Sequence, residues 1–259
     1  MQEQQVKEKQ RVADYGEVFT AEREVKAMCD LVKGECERIE SRFLEPACGE
    51  GAFLLEILSR KLQACARQAD GSLADFELCS VLAVSSLYGV DLMPDNVDIC
   101  RDKLFSLWKT RYEAFGGRDD SACCDAVRFI LEKNILCGDT LTMRCQDGSP
   151  LVFAEWTLTE DKEFRRKDYQ LDRLLAEEAA PGELLLTGLS ARPPARKAPQ
   201  GSLMLPGLVP DAKPDALHDA GLAPEAPAKN KFTPDSTGLV RQYDPVPYLR
   251  LQDAEDEQE

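Results

Sequence analysis

The chain has 259 residues, 43% of them hydrophobic, which is enough for one domain of ordinary size and a further segment. No run approaches the roughly 18 apolar residues that a bilayer crossing requires, and the polar start MQEQQVKEKQRVADYGE lacks the apolar core of a signal peptide. A formal charge of −15 works against tight autonomous binding of duplex DNA, because such affinity comes from Lys and Arg neutralising phosphates.

In chain order, the spacing of Val25, Met28, Cys29, Val32, Cys36 and Ile39 predicts a helix over Ala21–Arg42, with Thr20 as its N-cap. Phe43–Ala47 reads as a buried strand, and Ala52–Ala69 as a helix carrying Phe53, Leu54, Ile57, Leu58 and Leu62 on one side. A second helix is expected over Ser72–Val84, then a strand over Leu87–Leu92. Pro94 stands where proline suits a helix start, and the apolar spacing continues to about Phe115. A helix near Ala126–Lys133 leads into the strand-like ILCGD, and Leu151–Trp156 reads as a further strand. Phe164–Leu171 reads as a short helix with a basic edge at Arg165, Arg166 and Lys167, and Glu183–Leu189 as one more strand. Strands separated by helices imply an α/β fold, a parallel sheet with helices on both faces.

The composition changes near residue 180. All the prolines but Pro46, Pro94 and Pro150 lie at or after Pro181, whereas all ten cysteines precede Gln146. Two regions follow: a domain over 1–180 and a Pro/Ala-rich, largely disordered segment over 181–259, whose apolar islands at Leu203–Val209 and Leu239–Leu251 would dock either on the body or on a partner. On this reading the body folds without residues from Ser190 onward. The cysteines sit in helical contexts without a C-x-x-C pair, and His218 is the sole histidine, so reduced thiols in a cytoplasmic protein without a metal site are expected.

The chemistry gathers at strand ends. In EPACGEGAF, Gly49 and Gly51 permit positive φ and close approach of a ligand to a helix N-terminus, though many βα turns use two glycines merely to pack. Asp91 ends the next strand, where a carboxylate either accepts both hydroxyls of a ribose or caps the helix at Pro94. Asp139 follows a third strand and could accept from an adenine amine, or belong to an ordinary turn.

In order, Tyr15-Gly16-Glu17-Val18-Phe19-Thr20, Glu45-Pro46-Ala47-Cys48-Gly49-Glu50-Gly51-Ala52-Phe53, Tyr88-Gly89-Val90-Asp91 and Cys137-Gly138-Asp139 resemble the motifs of bacterial adenine-N6 DNA methyltransferases of restriction–modification systems. Glu45 stands for the family's usual Asp, Glu50 for its Ser and Ala21 for its frequent Pro. The resemblance implies a Rossmann-like class I fold, abbreviated here, that holds S-adenosylmethionine. Phe19, Thr20, Glu45, Pro46, Ala47, Cys48, Gly49, Gly51, Phe53, Asp91, Leu92 and Asp139 would line the cofactor, with Thr20 and Glu45 at its methionine end, Asp91 at the ribose and Asp139 at the adenine. The family's catalytic [DNS]-P-P-[YFW] element is absent. At its place stands SPLVFAEWTL, where Glu155 could accept from an amine and Phe153 or Trp156 could stack on a base, although strand alternation accounts for the same residues. The resemblance therefore leaves two expectations open: a methyltransferase acting on DNA adenine, through or with a second subunit, and a non-catalytic cofactor-binding partner.

Overall fold

The computed structural model describes residues 20–176 and 238–258. The upstream motif before Thr20, Phe19 included, the expected strand at Glu183–Leu189, the Leu203–Val209 island and His218 lie outside them.

The first helical stretch is two helices, α1 (Glu22–Leu31) and α2 (Lys33–Glu37), broken at Val32, with φ −122° and ψ 34°. Gly34 follows the break and weakens helix continuation there. Thr20 does not cap α1; Ala21 holds the N-cap position, its carbonyl accepting from Glu24 and Val25 N–H. The chain then gives β1 (Phe43–Glu45), α3 (Ala52–Ala69), α4 (Leu73–Ser85), β2 (Leu87–Asp91), α5 (Pro94–Ala114), α6 (Ala122–Asn134) and β3 (Ile135–Cys137). Ser72 and Ser121 cap α4 and α6, each accepting from a backbone N–H three residues on.

The three strands form a parallel sheet in the order β1-β2-β3, with Glu45 opposite Gly89 and Asp91 opposite Cys137. Each crossover is a pair of helices, so the fold is α/β as expected. The helices do not cover both faces, however. Leu87, Ile135 and Phe43 belong to the large core built with helices α1–α6. Tyr88 and Val90, pointing the other way from β2, meet Leu151, Phe153 and Leu171 in a smaller core. A β-hairpin thus takes the place of helices on that face.

The hairpin is β4 (Val152–Leu158) paired antiparallel with β5 (Glu163–Gln170), and Tyr88 Oη donates to the Ala154 carbonyl at 2.9 Å, tying it to β2. The stretch expected to be a basic helix is therefore a strand. Its buried positions are Phe164, Arg166 and Asp168, so the period-2 signal is hidden by charge. Arg166 and Asp168 satisfy one another bidentately, Nε to Oδ1 at 2.7 Å and Nη2 to Oδ2 at 2.8 Å, and Tyr243 Oη donates to the same carboxylate. The guanidinium also lies 4.4 Å from the Tyr243 ring centre.

The turn α7 (Leu171–Ala176) follows β5. The outer edge of β5 is then closed by β6 (Leu239–Gln242) and β7 (Val246–Pro247). Of the two expectations for the last apolar island, docking on the body or on a partner, the first holds: it is built into the body. Leu251, in the 3-10 stretch Tyr248–Gln258, is fully buried in the main core. Glu77 on α4 accepts from Tyr248 Oη at 2.9 Å and from Tyr112 Oη at 2.8 Å, which pins the chain end to α4 and α5.

One buried cation organises the amino ends of the strands. Lys61 of α3 is fully buried, and its Nζ donates to the carbonyls of Ile39 and Ser41 and to Ser86 Oγ. Three donors meet three acceptors, so burial of the ammonium is compensated. Burial nevertheless pushes the Lys61 pKa down to about 7 from 10.5.

Two predictions follow from these contacts. Between pH 7 and 10.5 the unfolded chain holds a proton on Lys61 that the folded chain releases, so this group makes stability rise with pH by up to about 1.4 kcal/mol per unit, and contributes no slope below 7. Urea unfolding from pH 7 to 8.5 should show a steeper rise for wild type than for Lys61→Met. Second, deleting Leu239 onward should abolish the cooperative transition by baring β5, whereas Tyr248→Phe should cost roughly 0.5–1.5 kcal/mol in the same measurement.

Candidate functional site

The expected site residues fall on one edge of the parallel sheet, at the carboxyl ends of its strands. After β1 the chain turns through Pro46 and Ala47, both exposed, to Cys48, which is buried and whose N–H donates to the Val90 carbonyl at 2.8 Å. This bond extends the β1–β2 pairing by one step and aims the glycine turn across the end of β2. Gly49 has φ +50° and Gly51 φ +88°, the latter as N-cap of α3. Both are left-handed conformations that favour glycine.

The two glycines differ in their surroundings. A Cβ built on Gly51 would lie 2.6 Å from Cys100 Sγ, so this residue is glycine because α5 packs against it. A Cβ on Gly49 would meet nothing within 4 Å, so its backbone faces open space. Beneath them the neighbouring Cys100 thiol, then burial, push the Cys48 thiol well above the usual range. Glu50 is ion-paired with Lys103 of α5 and turns away from the sheet edge. Phe53, half-buried, packs against the main core.

Asp91 is the hub. Its Oδ2 accepts from Gly49 N–H at 2.9 Å; its Oδ1 accepts from Met93 N–H at 2.9 Å and from Asn96 Nδ2 at 3.1 Å. Its carbonyl accepts from Gly138 N–H at 2.9 Å. A carboxylate offers about four lone-pair directions, so one remains, on Oδ2. Helix capping and ligand acceptance were alternatives in the sequence; Met93 is the N-cap of α5 and no side chain caps it, Asp91 instead fastening the Met93 N–H and the Asn96 side chain, with room left for one further donor.

Asp139 closes its own turn, Oδ1 accepting from Leu141 N–H at 2.8 Å and Oδ2 from Thr142 Oγ1 at 3.0 Å. That turn is fastened to the β1 loop by Thr140 Oγ1, which donates to the Pro46 carbonyl at 3.1 Å. Two large apolar side chains stand in water beside these acids: Leu92 at 47% and Leu141 at 92% exposure. Sequence reasoning included Leu92 and missed Leu141, because a single leucine in a turn carries no periodic signal. Glu45 is half-buried; burial raises its pKa above the ordinary carboxylate value, while the Ala47 N–H pulls it back. Thr20, half-buried, precedes α1, and no hydrogen bond joins its side chain to this edge.

Glu155 and Trp156 lie apart from this edge, inside the body. Glu155, 5% exposed, is ion-paired with Arg42 at 2.9 Å. Trp156 Nε1 donates to Asn134 Oδ1 at 2.9 Å, and its ring meets Phe129 edge-on at 6.2 Å. Asn134 in turn donates to the Ser85 and Leu87 carbonyls. Both side chains are engaged in holding β4 to the sheet and to α6.

No family model matches this chain, and neither a curated protein nor a solved structure matches it. Among the described residues there is no group of three or more His, Cys, Asp or Glu able to hold a metal ion, and no helix long and apolar enough to cross a membrane.

The different surroundings of the two glycines are testable. Gly51→Ala should destabilise the fold by about 2–4 kcal/mol, combining a left-handed alanine with the clash at Cys100. Gly49→Ala should cost only the backbone strain, about 1 kcal/mol. Chemical denaturation of both variants checks the order, and the pair Gly51→Ala/Cys100→Ala should recover part of the loss.

Proposed function

We propose that the carboxyl edge of the parallel sheet binds S-adenosylmethionine, and that the chain is the methyltransferase-type component of a system modifying adenine in DNA. The observation that carries this reading is the convergence of Glu45, Gly49, Asp91 and Asp139 at the ends of three adjacent parallel strands, in the order in which the resembling motifs occur. Ligands of open α/β sheets bind outside the carboxyl ends of the strands.

The residues fit such a cofactor on four counts. Gly49 presents backbone to open space, so a ligand can approach it closely. Asp91 keeps a lone pair on Oδ2 for a ribose hydroxyl; accepting a second hydroxyl requires Asn96 to release Oδ1. Leu92 and Leu141 offer apolar surface for a flat base beside Asp139. Burial raises the Glu45 pKa, and the ligand's ammonium beside it would draw that pKa back down. When bound, the cofactor supplies an electrophilic methyl group. The chain's own residues orient it through hydrogen bonds and exclude water from one side.

A second reading is favoured by a specific observation. Glu155 and Trp156, the residues standing where the family's amine-holding element would be, are buried and engaged with Arg42 and Asn134. Flipping a paired adenine costs a few kcal/mol, which stacking and hydrogen bonds to the amine must recover. With these side chains engaged, the chain acts as a cofactor-binding partner, and a second subunit provides the base pocket.

Calorimetry with the full chain should show one site for S-adenosylmethionine, weakened at least tenfold by Asp91→Ala, and weaker again as pH falls through the raised Glu45 range. No uptake at millimolar ligand overturns the proposal. Labelled methyl transfer to mixed-sequence DNA should be negligible with the chain alone; robust transfer lost in Glu155→Ala or Trp156→Ala would discard the partner reading.

A further inference from the structure

We propose that a cleft beside α4, remote from the carboxyl edge of the sheet, binds a straight-chain aliphatic diamine, an ammonium at each end and a methylene stem between. The cleft encloses about 260 Å³ and is assembled from four stretches of chain. Ile39 and Glu40 come from the segment ahead of β1, Gln68 and Ala69 from the end of α3, and Leu158 from the end of β4. The fourth side is α4, which contributes Asp75, Leu78, Cys79 and Leu82, the i, i+3, i+4, i+7 positions of one helical face. At 1.5 Å of rise per residue, that face carries the cleft about 10 Å along the helix.

The acids stand toward its two ends. Asp75 lies in the first turn of α4. Glu40 belongs to the other end: the carbonyl of its neighbour Ile39 and the Oγ of Ser86, the residue that closes α4, both accept from Lys61 Nζ. Between the acids the wall is aliphatic, and half-buried Leu78, Leu82 and Leu158 leave part of their surface to water.

Neither acid is neutralised by the fold. No cation lines the cleft, and the Asp75 carboxylate has no ion pair among the described residues. The nearest cation to Glu40 is Arg38, with Nε at 3.9 Å, and that guanidinium holds Glu35 at 2.8 Å and Ser41 Oγ at 2.6 Å instead. Gln68 Oε1 accepts from Cys79 Sγ at 3.7 Å, so the amide oxygen is a further acceptor on the wall.

These features select the ligand. Uncompensated carboxylates repel anions and call for donors. A single metal ion, which binds oxygens at about 2–2.6 Å, cannot meet acids near opposite ends of a 10 Å groove. A chain of about four or five methylenes gains about 1.3 Å per bond and, with a hydrogen bond at each end, covers the distance. Its stem lies on the leucines, where apolar burial adds to two charge-assisted bonds.

The test is calorimetric titration of the full chain with the straight five-carbon diamine, beside the five-carbon monoamine, the matching diol and Mg²⁺. The expected result is one diamine site, about tenfold tighter than the monoamine and displaced by neither the diol nor Mg²⁺ at equal concentration. Glu40→Gln and Asp75→Asn, both at exposed positions, should each weaken diamine binding to about the monoamine level. Asp125→Asn removes the same charge from the first turn of α6 and should leave binding unchanged. Bound diamine should also slow alkylation of Cys79, inside the cleft, and not that of Cys137 or Cys145. Equal uptake of diamine, monoamine and Mg²⁺ marks only the general attraction of a chain at −15 and overturns the proposal. No uptake at millimolar diamine, or binding indifferent to both cleft substitutions, overturns it as well.

Discussion

Asp91 accepts hydrogen bonds from the glycine turn after β1, from the start of α5 and from the Asn96 side chain, and its own carbonyl receives the Gly138 N–H that continues β3. One residue thus joins the carboxyl ends of all three parallel strands. A short sheet needs such a joint. β1 and β3 have three residues each, and their ladders alone supply few hydrogen bonds to hold the loops that follow. A charged acceptor meeting backbone donors forms bonds stronger than neutral ones, and here it does so at the point where three loops must be held in register. The positions of Gly49, Leu92 and the Asp139 turn all follow from it.

The opposite end of the same sheet is held by the opposite charge. The Lys61 ammonium gathers the Ile39 and Ser41 carbonyls, just ahead of β1, with Ser86 just ahead of β2. The Ser86 carbonyl then accepts the Phe43 N–H that begins the β1–β2 ladder. An anion stitches one end and a cation the other, which suits the direction of the strands: donors from loops and helix starts converge at the carboxyl ends, and carbonyls are left over at the amino ends. The arrangement resembles a sheet clamped at both ends, with its middle left to apolar packing against α3 at Gly89, where a Cβ would come within 3.0 Å of Leu54.

What the sequence disclosed divides along physical lines. Helices α3 to α6 and the three parallel strands were legible because their buried positions are apolar at regular spacing and their ends carry Gly, Pro or Ser. The edge bearing the candidate site was legible because glycine and acid at strand ends have few other uses. Strand β5 was not, since its inward side chains include the mutually satisfied Arg166 and Asp168, and a pattern search counts both as surface. The break at Val32 escaped because apolar residues continue at helical spacing through it. The hairpin covering the Tyr88 face escaped for a third reason. Which face a hairpin covers is decided by tertiary contacts such as Tyr88 to Ala154, 66 positions apart, and no local pattern encodes them.

The pairing of β5 with β6 and β7 has a temporal consequence. Chains emerge from the ribosome at about 5–20 residues per second, so the roughly 70 residues between β5 and β6 delay the covering strands by several seconds. Throughout that interval the nascent chain can complete its parallel sheet and the β4–β5 hairpin, yet β5 presents an open edge bearing Arg165 and Lys167. Those cations repel a like edge on a neighbouring nascent chain, so the same alternation of charge that conceals β5 in the sequence would also guard it on a polysome until β6 and β7 arrive.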